Sequence, residues 1–185
     1  MKNLFLTVLM LATTILAFAQ DHSSSSGFLV TDYQWDITRN DSVATMQMDV
    51  PFDNQGGKFD TLLLVIEKNN QQQRPSRMRL QIPAGIERNI GVMINFGKNV
   101  KKEYGYSSEL SGEPLMAPCT HCDEQRCYVD FQEGYAGNEG SGNKTDLFAS
   151  FNEFDTIIIF FMYPDGRQAN LMIPLESFRK SYLIL

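Results

Sequence analysis

The chain is built mostly from short segments in which apolar and polar residues alternate, each closed by turn-forming residues, and that period of two fits strands rather than helices. Tyr33, Trp35 and Ile37 alternate within residues 29–37, and Met46, Met48 and Val50 within 43–50, where Pro51 ends the pattern. Asn54-Gln55-Gly56-Gly57 then turns the chain. Residues 59–67 are the strongest strand, with an unbroken apolar run from Leu62 to Ile66. Such a run suits a strand buried on both faces or in the middle of a sandwich. Further strands are predicted at 77–82, 86–96, 128–131, 155–163 and 168–173, with turns at Pro83-Ala84-Gly85 and Pro164-Asp165-Gly166. Residues 98–118 read as a long loop or a weak hairpin, and 134–142 as a glycine-rich loop. The expected fold is mainly β, an antiparallel β-sandwich.

Only two segments have helical spacing. Leu147, Phe148, Phe151 and Phe154 predict a short helix near 145–154, with Thr145 or Asn143 as its cap. Pro174 is expected to open a short C-terminal helix that puts Leu175, Phe178, Tyr182 and Leu183 on one face against the sheet.

The N-terminus reads as a leader rather than as part of the fold. Lys2 precedes the apolar stretch Leu4 to Leu16, and Ala17-Phe18-Ala19 is a small-x-small cleavage site. A signal peptide over 1–19, a disordered serine-rich tether over 20–27 and a single domain over 28–185 are the expected divisions. The apolar stretch is short for a membrane span, and no transmembrane helix is expected once it is removed. Removing the leader takes one lysine from the 16 basic residues and none of the 22 acidic ones, so the formal charge moves from −6 to −7. An acidic domain without a Lys/Arg cluster is a poor partner for nucleic acid or an anionic membrane.

Several pieces of the second half stand in a particular order: Pro83-Ala84-Gly85, Asn95-Phe96-Gly97, two cysteines separated by four residues (Cys122 and Cys127), and the ending Ile173-Pro174-Leu175-Glu176-Ser177-Phe178. In this order the chain, over about residues 77–185, resembles the invasion-associated locus B family of exported Gram-negative bacterial proteins. Trp35 stands where that family has a tryptophan. The cysteine pair that usually follows it is missing here, and Cys119 is additional. The resemblance implies an all-β, disulfide-containing protein of the periplasm or cell surface, non-enzymatic and linked to host-cell invasion in some pathogens. It supplies no catalytic residues to carry over.

The three cysteines admit three readings. Cys122 and Cys127 can close a small loop as a structural bridge, which export would permit. Alternatively, Cys119-Thr120-His121-Cys122 is a C-x-x-C in which His121 could stabilise a neighbouring thiolate and make the pair redox-active, though no βαβ unit surrounds it. Finally, Cys119, Cys122, Cys127 and His121 together would fill a tetrahedral zinc shell, though adjacent His121 and Cys122 rarely reach one ion. The expectation adopted is a Cys122–Cys127 disulfide, with Cys119 as a free or redox thiol and with no metal, cofactor or catalytic residue.

His22 and His121 are the only histidines, and no G-x-S-x-G elbow is present, which argues against serine or cysteine hydrolysis. Asp130, Glu133 and Glu139 read as solvated charges or a weak calcium site. Tyr104, Tyr106, Tyr128 and Tyr135 read as loop packing more readily than as an aromatic contact surface. The expected function is interaction with an unknown protein or envelope component. A thiol–disulfide active protein using Cys119 and Cys122 is the second reading, and a carbohydrate- or small-ligand-binding sandwich the third.

Overall fold

The computed structural model describes residues 28–29, 34–54, 58–102, 105–111, 114–137 and 144–185. The expected signal peptide and tether lie outside these residues. The fold is mainly β: two six-stranded sheets in a sandwich, with two short helices at one end.

The first sheet has the order β1 (Phe28–Leu29), β14 (Gln168–Pro174), β13 (Thr156–Met162), β6 (Val92–Lys102) and β7 (Gly105–Leu110), and β8 (Leu115–Ala117) pairs with the start of β6. The second runs β2 (Asp36–Arg39), β3 (Val43–Asp53), β4 (Phe59–Asn69), β5 (Arg77–Pro83), β10 (Arg126–Gln132) and β9 (His121–Cys122). Between these strands the pairing is antiparallel except that β1 lies parallel to β14. A small ladder of β11 (Tyr135–Ala136) and β12 (Thr145–Asp146) leads into helix α1 (Leu147–Glu153).

The period-two pattern decides which residues enter the core. Met46, Met48 and Val50 on β3 face inward with Leu62, Leu64 and Ile66 on β4 and Met78, Leu80 and Ile82 on β5, all essentially without solvent exposure. They meet Ile94, Ile157, Ile159 and Phe161 of the first sheet. Phe52 and Phe161 join the two layers edge to face, with centroids 5.5 Å apart. The unbroken run of β4 is explained by its central place. Its outward residues Leu63 and Val65 sit between β3 and β5, and Val65 lies between Gln47 and Arg79, whose long side chains suit covering it.

Four sequence expectations change in detail. The strand placed at 86–96 begins only at Val92, because Ile86 is anchored in the core and residues 87–91 turn, with Ile90 and Gly91 N–H groups both donating to the Glu87 carbonyl. Of the two readings of residues 98–118, the hairpin is the one found: β6 pairs regularly with β7 over 97–102 and 105–110, and β8 pairs with the start of β6. Helix α1 starts at Leu147, and its cap is Asp146, whose carboxylate accepts from the Ala149 N–H at 3.1 Å. Pro174 closes β14, paired with Thr156, and the C-terminal helix α2 runs Glu176–Tyr182. A proline ends a ladder as readily as it begins a helix, since both positions can spare its missing N–H. Phe178 of α2 is fully buried against Trp35 and Phe151, whereas Leu183 is 86% exposed.

Candidate functional site

The chemistry-bearing residues gather where the chain crosses from the first sheet to the second. Strand β8 ends at Ala117, Pro118 and Cys119 cross over, and β9 then pairs with β10. Gly91 makes that crossing possible. At φ +66° it lies against the Ala117–Pro118 backbone, and a Cβ there would stand 2.2 Å from the Ala117 carbonyl oxygen.

Strands β9 and β10 form a hairpin closed by Asp123. The Asp123 carboxylate accepts from the Gln125 and Arg126 N–H groups at 2.8 and 2.7 Å, and the Tyr128 hydroxyl donates to it at 2.9 Å. Those two backbone bonds, then the tyrosine bond, hold its carboxyl below the ordinary carboxylate value. The same tyrosine bond pushes the Tyr128 phenol up. The Arg126 guanidinium reaches across the sheet to the Thr61 carbonyl.

The Asp123 N–H donates to the Arg126 carbonyl at 2.8 Å. The next pair inward, Cys122 with Cys127, is therefore the non-hydrogen-bonded kind, in which Cα atoms come closest. They are 4.0 Å apart and joined by a disulfide. Cys127 faces the core with no exposure, and Cys122 is half-buried. Cys119 is free and half-buried. Burial pushes its thiol up, and the charge of Arg88 acts against that. The three Sγ atoms all lie within 4.8 Å of one another.

Strand alternation separates His121 from this cluster. His121 pairs with Tyr128 on the outer face, and their rings stack with centroids 4.2 Å apart and planes 7° from parallel. The cysteine pair points the other way. His121 therefore stands neither as a fourth ligand beside the three sulfurs nor as a thiolate partner for Cys119 or Cys122, the two roles its place in the sequence suggests. The C-x-x-C itself spans a crossing loop and an edge strand, with no helix N-terminus to lower a thiol pKa.

The outer face of the second sheet carries a group that sequence reasoning missed. Asp130, on β10, receives Arg77 Nη2 at 2.7 Å and Arg79 Nε at 2.8 Å, both from the paired strand β5. Its carboxylate is only 10% exposed. Burial alone would raise its pKa, but the hydrogen bonds from Arg79 and Arg77 outweigh burial and hold the carboxyl below its ordinary value. The Thr120 hydroxyl lies 3.2 Å from the same carboxylate, and Arg79 lies over the Tyr128 ring at 5.5 Å. Asp130 is thus a paired residue rather than a solvated one. The alternation of Arg77 and Arg79 opposite Asp130 was a legible signal for it.

A second group lies near β11. Arg74 donates to the Asp146 carboxylate at 2.7 Å, to the Glu133 carbonyl at 3.0 Å and to the Tyr135 hydroxyl at 3.2 Å. Its guanidinium also lies 4.7 Å from the centre of the Tyr135 ring. An open depression of about 470 Å³ beside it is lined by Gln72, Arg74, Ser76, Gln132, Glu133 and Tyr135. These contacts fasten the loop and the α1 cap to the sheet. Glu139, Tyr104 and the side chain of Tyr106 lie outside the described residues, as does His22. Among the described residues no helix is long and apolar enough to cross a membrane.

Fold and site together define a β-sandwich with a disulfide-stapled hairpin on the edge of one sheet. Comparison with protein-family models, with curated proteins and with solved structures finds no match to this chain.

Proposed function

We propose that this chain is an exported, non-enzymatic domain of the invasion-associated locus B type, acting by interaction with a protein or envelope component in the periplasm or outside the cell. The observation that carries the reading is the stapled hairpin. The Cys122–Cys127 bridge suits an oxidising compartment, in keeping with the leader pattern at residues 1–19. The bridge also holds β9 against β10, so the hairpin presents its outer face, the stacked His121 and Tyr128 beside Arg79, at low entropic cost to a binding partner. Of the pieces behind the family resemblance, Pro83-Ala84-Gly85 turns out of β5 and Ile173-Pro174-Leu175 runs from β14 into α2, while Gly97 lies in the middle of β6 rather than at its end.

The test is expression of the full chain in its native bacterium, with fractionation and intact-mass analysis. The expected product starts at Gln20, carries one disulfide, and is recovered from periplasm or medium. An envelope partner retained by the wild type is expected to be lost on His121→Ala, which leaves the core untouched. A cytoplasmic product with three free thiols would defeat the export reading. A partner that is retained equally by His121→Ala and Arg79→Ala would defeat the assignment of the contact face.

A further inference from the structure

We infer that the three sulfurs form a thiol-exchange site, in which Cys119 displaces Cys122 from Cys127 and one disulfide moves between two partners. The three Sγ atoms lie within 4.8 Å of one another, while only Cys122 and Cys127 share a bond. A free thiol thus stands beside a disulfide inside a folded domain, the proximity from which exchange starts.

The step balances within the protein. Cys119 gives its proton to water, and its thiolate forms a bond to the sulfur of Cys127. The bond between Cys127 and Cys122 breaks, and its electron pair leaves on Cys122, which takes a proton from water. One disulfide and one thiol stand on each side, so neither oxidant nor reductant is needed.

Burial sets the direction. Attack on Cys122 would expel Cys127 as a thiolate at a position with no solvent exposure. Attack on Cys127 expels Cys122, which is only half-buried on the edge strand β9 and so can be hydrated as it leaves. The moved bridge would tie the crossing segment after β8 to β10. It would free β9 from its covalent tie, leaving it on β10 through the short His121 and Cys122 ladder and the Thr120 and Asp123 hydrogen bonds at its two ends. The exchange therefore converts a stapled edge into an unstapled one that carries a thiol.

The oxidised full-length protein is held at about pH 8, where thiolate begins to form, with a slow, limiting supply of iodoacetamide. It is then quenched in acid, digested without reduction and mapped by tandem mass spectrometry. Trapping draws off even a minor isomer, so at least about a tenth of the label is expected on Cys122, together with a Cys119–Cys127 bridge in the same molecules. Cys119→Ser is expected to take up no label. Its folding is checked by the fluorescence of Trp35, and the wild-type map decides the matter if that variant fails to fold. Label confined to Cys119 overturns the exchange, and label on Cys127 overturns its direction.

Discussion

Cutting Phe178 back to alanine removes the ring on which the helical end of the sandwich is assembled. Phe178 has no solvent exposure. Its ring meets Phe151 of α1 edge-on at 4.8 Å, meets Trp35 at 5.8 Å, and stacks with Tyr182 at 5.2 Å. The substitution therefore empties a site shared by both helices and the segment before β2. Loss of a buried phenylalanine costs about 3–5 kcal/mol, and the aromatic geometry is already contained in that range. With a urea slope of about 2 kcal/mol per molar for a domain of this size, the midpoint is expected to fall by about 1.5–2.5 M. Set against a total stability of about 5–15 kcal/mol, such a loss is expected to leave little folded protein. Trp35 is the only tryptophan and packs on Phe178, so its fluorescence changes in the native state itself. Far-UV circular dichroism therefore provides the midpoint, and fluorescence provides a second probe. Leu183→Ala on the same terminal segment is the control, and is expected to stay within about 0.5 kcal/mol. A midpoint shift below about 0.5 M for Phe178→Ala would mean that the end repacks freely, and the shared-site reasoning would be wrong.

Asp130→Asn is expected to destabilise by about 1–3 kcal/mol at neutral pH by weakening the Arg77 and Arg79 bonds. Because the folded carboxyl titrates below its unfolded value of about 3.9, that stability is present above the unfolded value and disappears as pH falls through the folded one. Urea midpoints of wild type and variant should therefore converge in acid; a gap unchanged from neutral to acid pH would refute the pairing. Tyr163→Phe is expected to be neutral or stabilising. The buried Tyr163 hydroxyl has no hydrogen-bond partner among the described residues, and burial holds the phenol's pKa up at about 12; a loss above about 1 kcal/mol would reveal a bond that the hydroxyl makes. Gly134→Ala is expected to cost more than about 1–3 kcal/mol, since Gly134 sits at φ +72° and a Cβ would stand 2.1 Å from the Phe148 ring. A thermal melt unchanged from wild type would show that loop and ring move aside. Removing the Cys122–Cys127 bridge by reduction should lower stability by about 2 kcal/mol, as expected for so small a loop, and a much larger drop in urea midpoint would mean that the bridge holds more than the hairpin.

The layers of the sandwich were legible because burial writes directly into a period of two. The alternation at 43–50 and 77–82 and the unbroken run at 62–66 name the inner faces of β3, β5 and β4. The hairpin of β6 and β7 was legible only as one of two readings, a long loop or a weak hairpin, since residues 98–111 are mostly lysine, serine, glutamate and tyrosine, and Val100 and Leu110 alone mark no apolar face. A backbone ladder between polar residues leaves no such signature. The start of β6 was misplaced for a related reason. Ile86 is apolar and buried like a strand residue, but it anchors a turn. The order of the late elements was readable, while their ends depended on proline and capping chemistry that serves both strands and helices.

The candidate site shows a different limit. In sequence, Cys119, His121 and Cys122 lie together and suggest one chemical unit. In a helix, residues at short spacings share a face, and a C-x-x-C with a neighbouring histidine can act as one. In a strand, adjacent residues point to opposite faces. Once residues 121–122 join β10, His121 is committed to the outer face with Tyr128, and Cys122 to the inner face with Cys127. Cys119 rejoins the cluster from the crossing loop rather than through its spacing to Cys122. The result is a division of labour within one hairpin. Its inner face holds three sulfurs close enough to trade a bond, and its outer face holds an aromatic and cationic surface whose position depends on which bond is made. If Cys122 leaves Cys127, His121 loses the staple that sets it against Tyr128. The proposed exchange and the proposed contact surface are therefore coupled through two neighbouring residues, and binding that depends on His121 should weaken in the Cys119–Cys127 isomer.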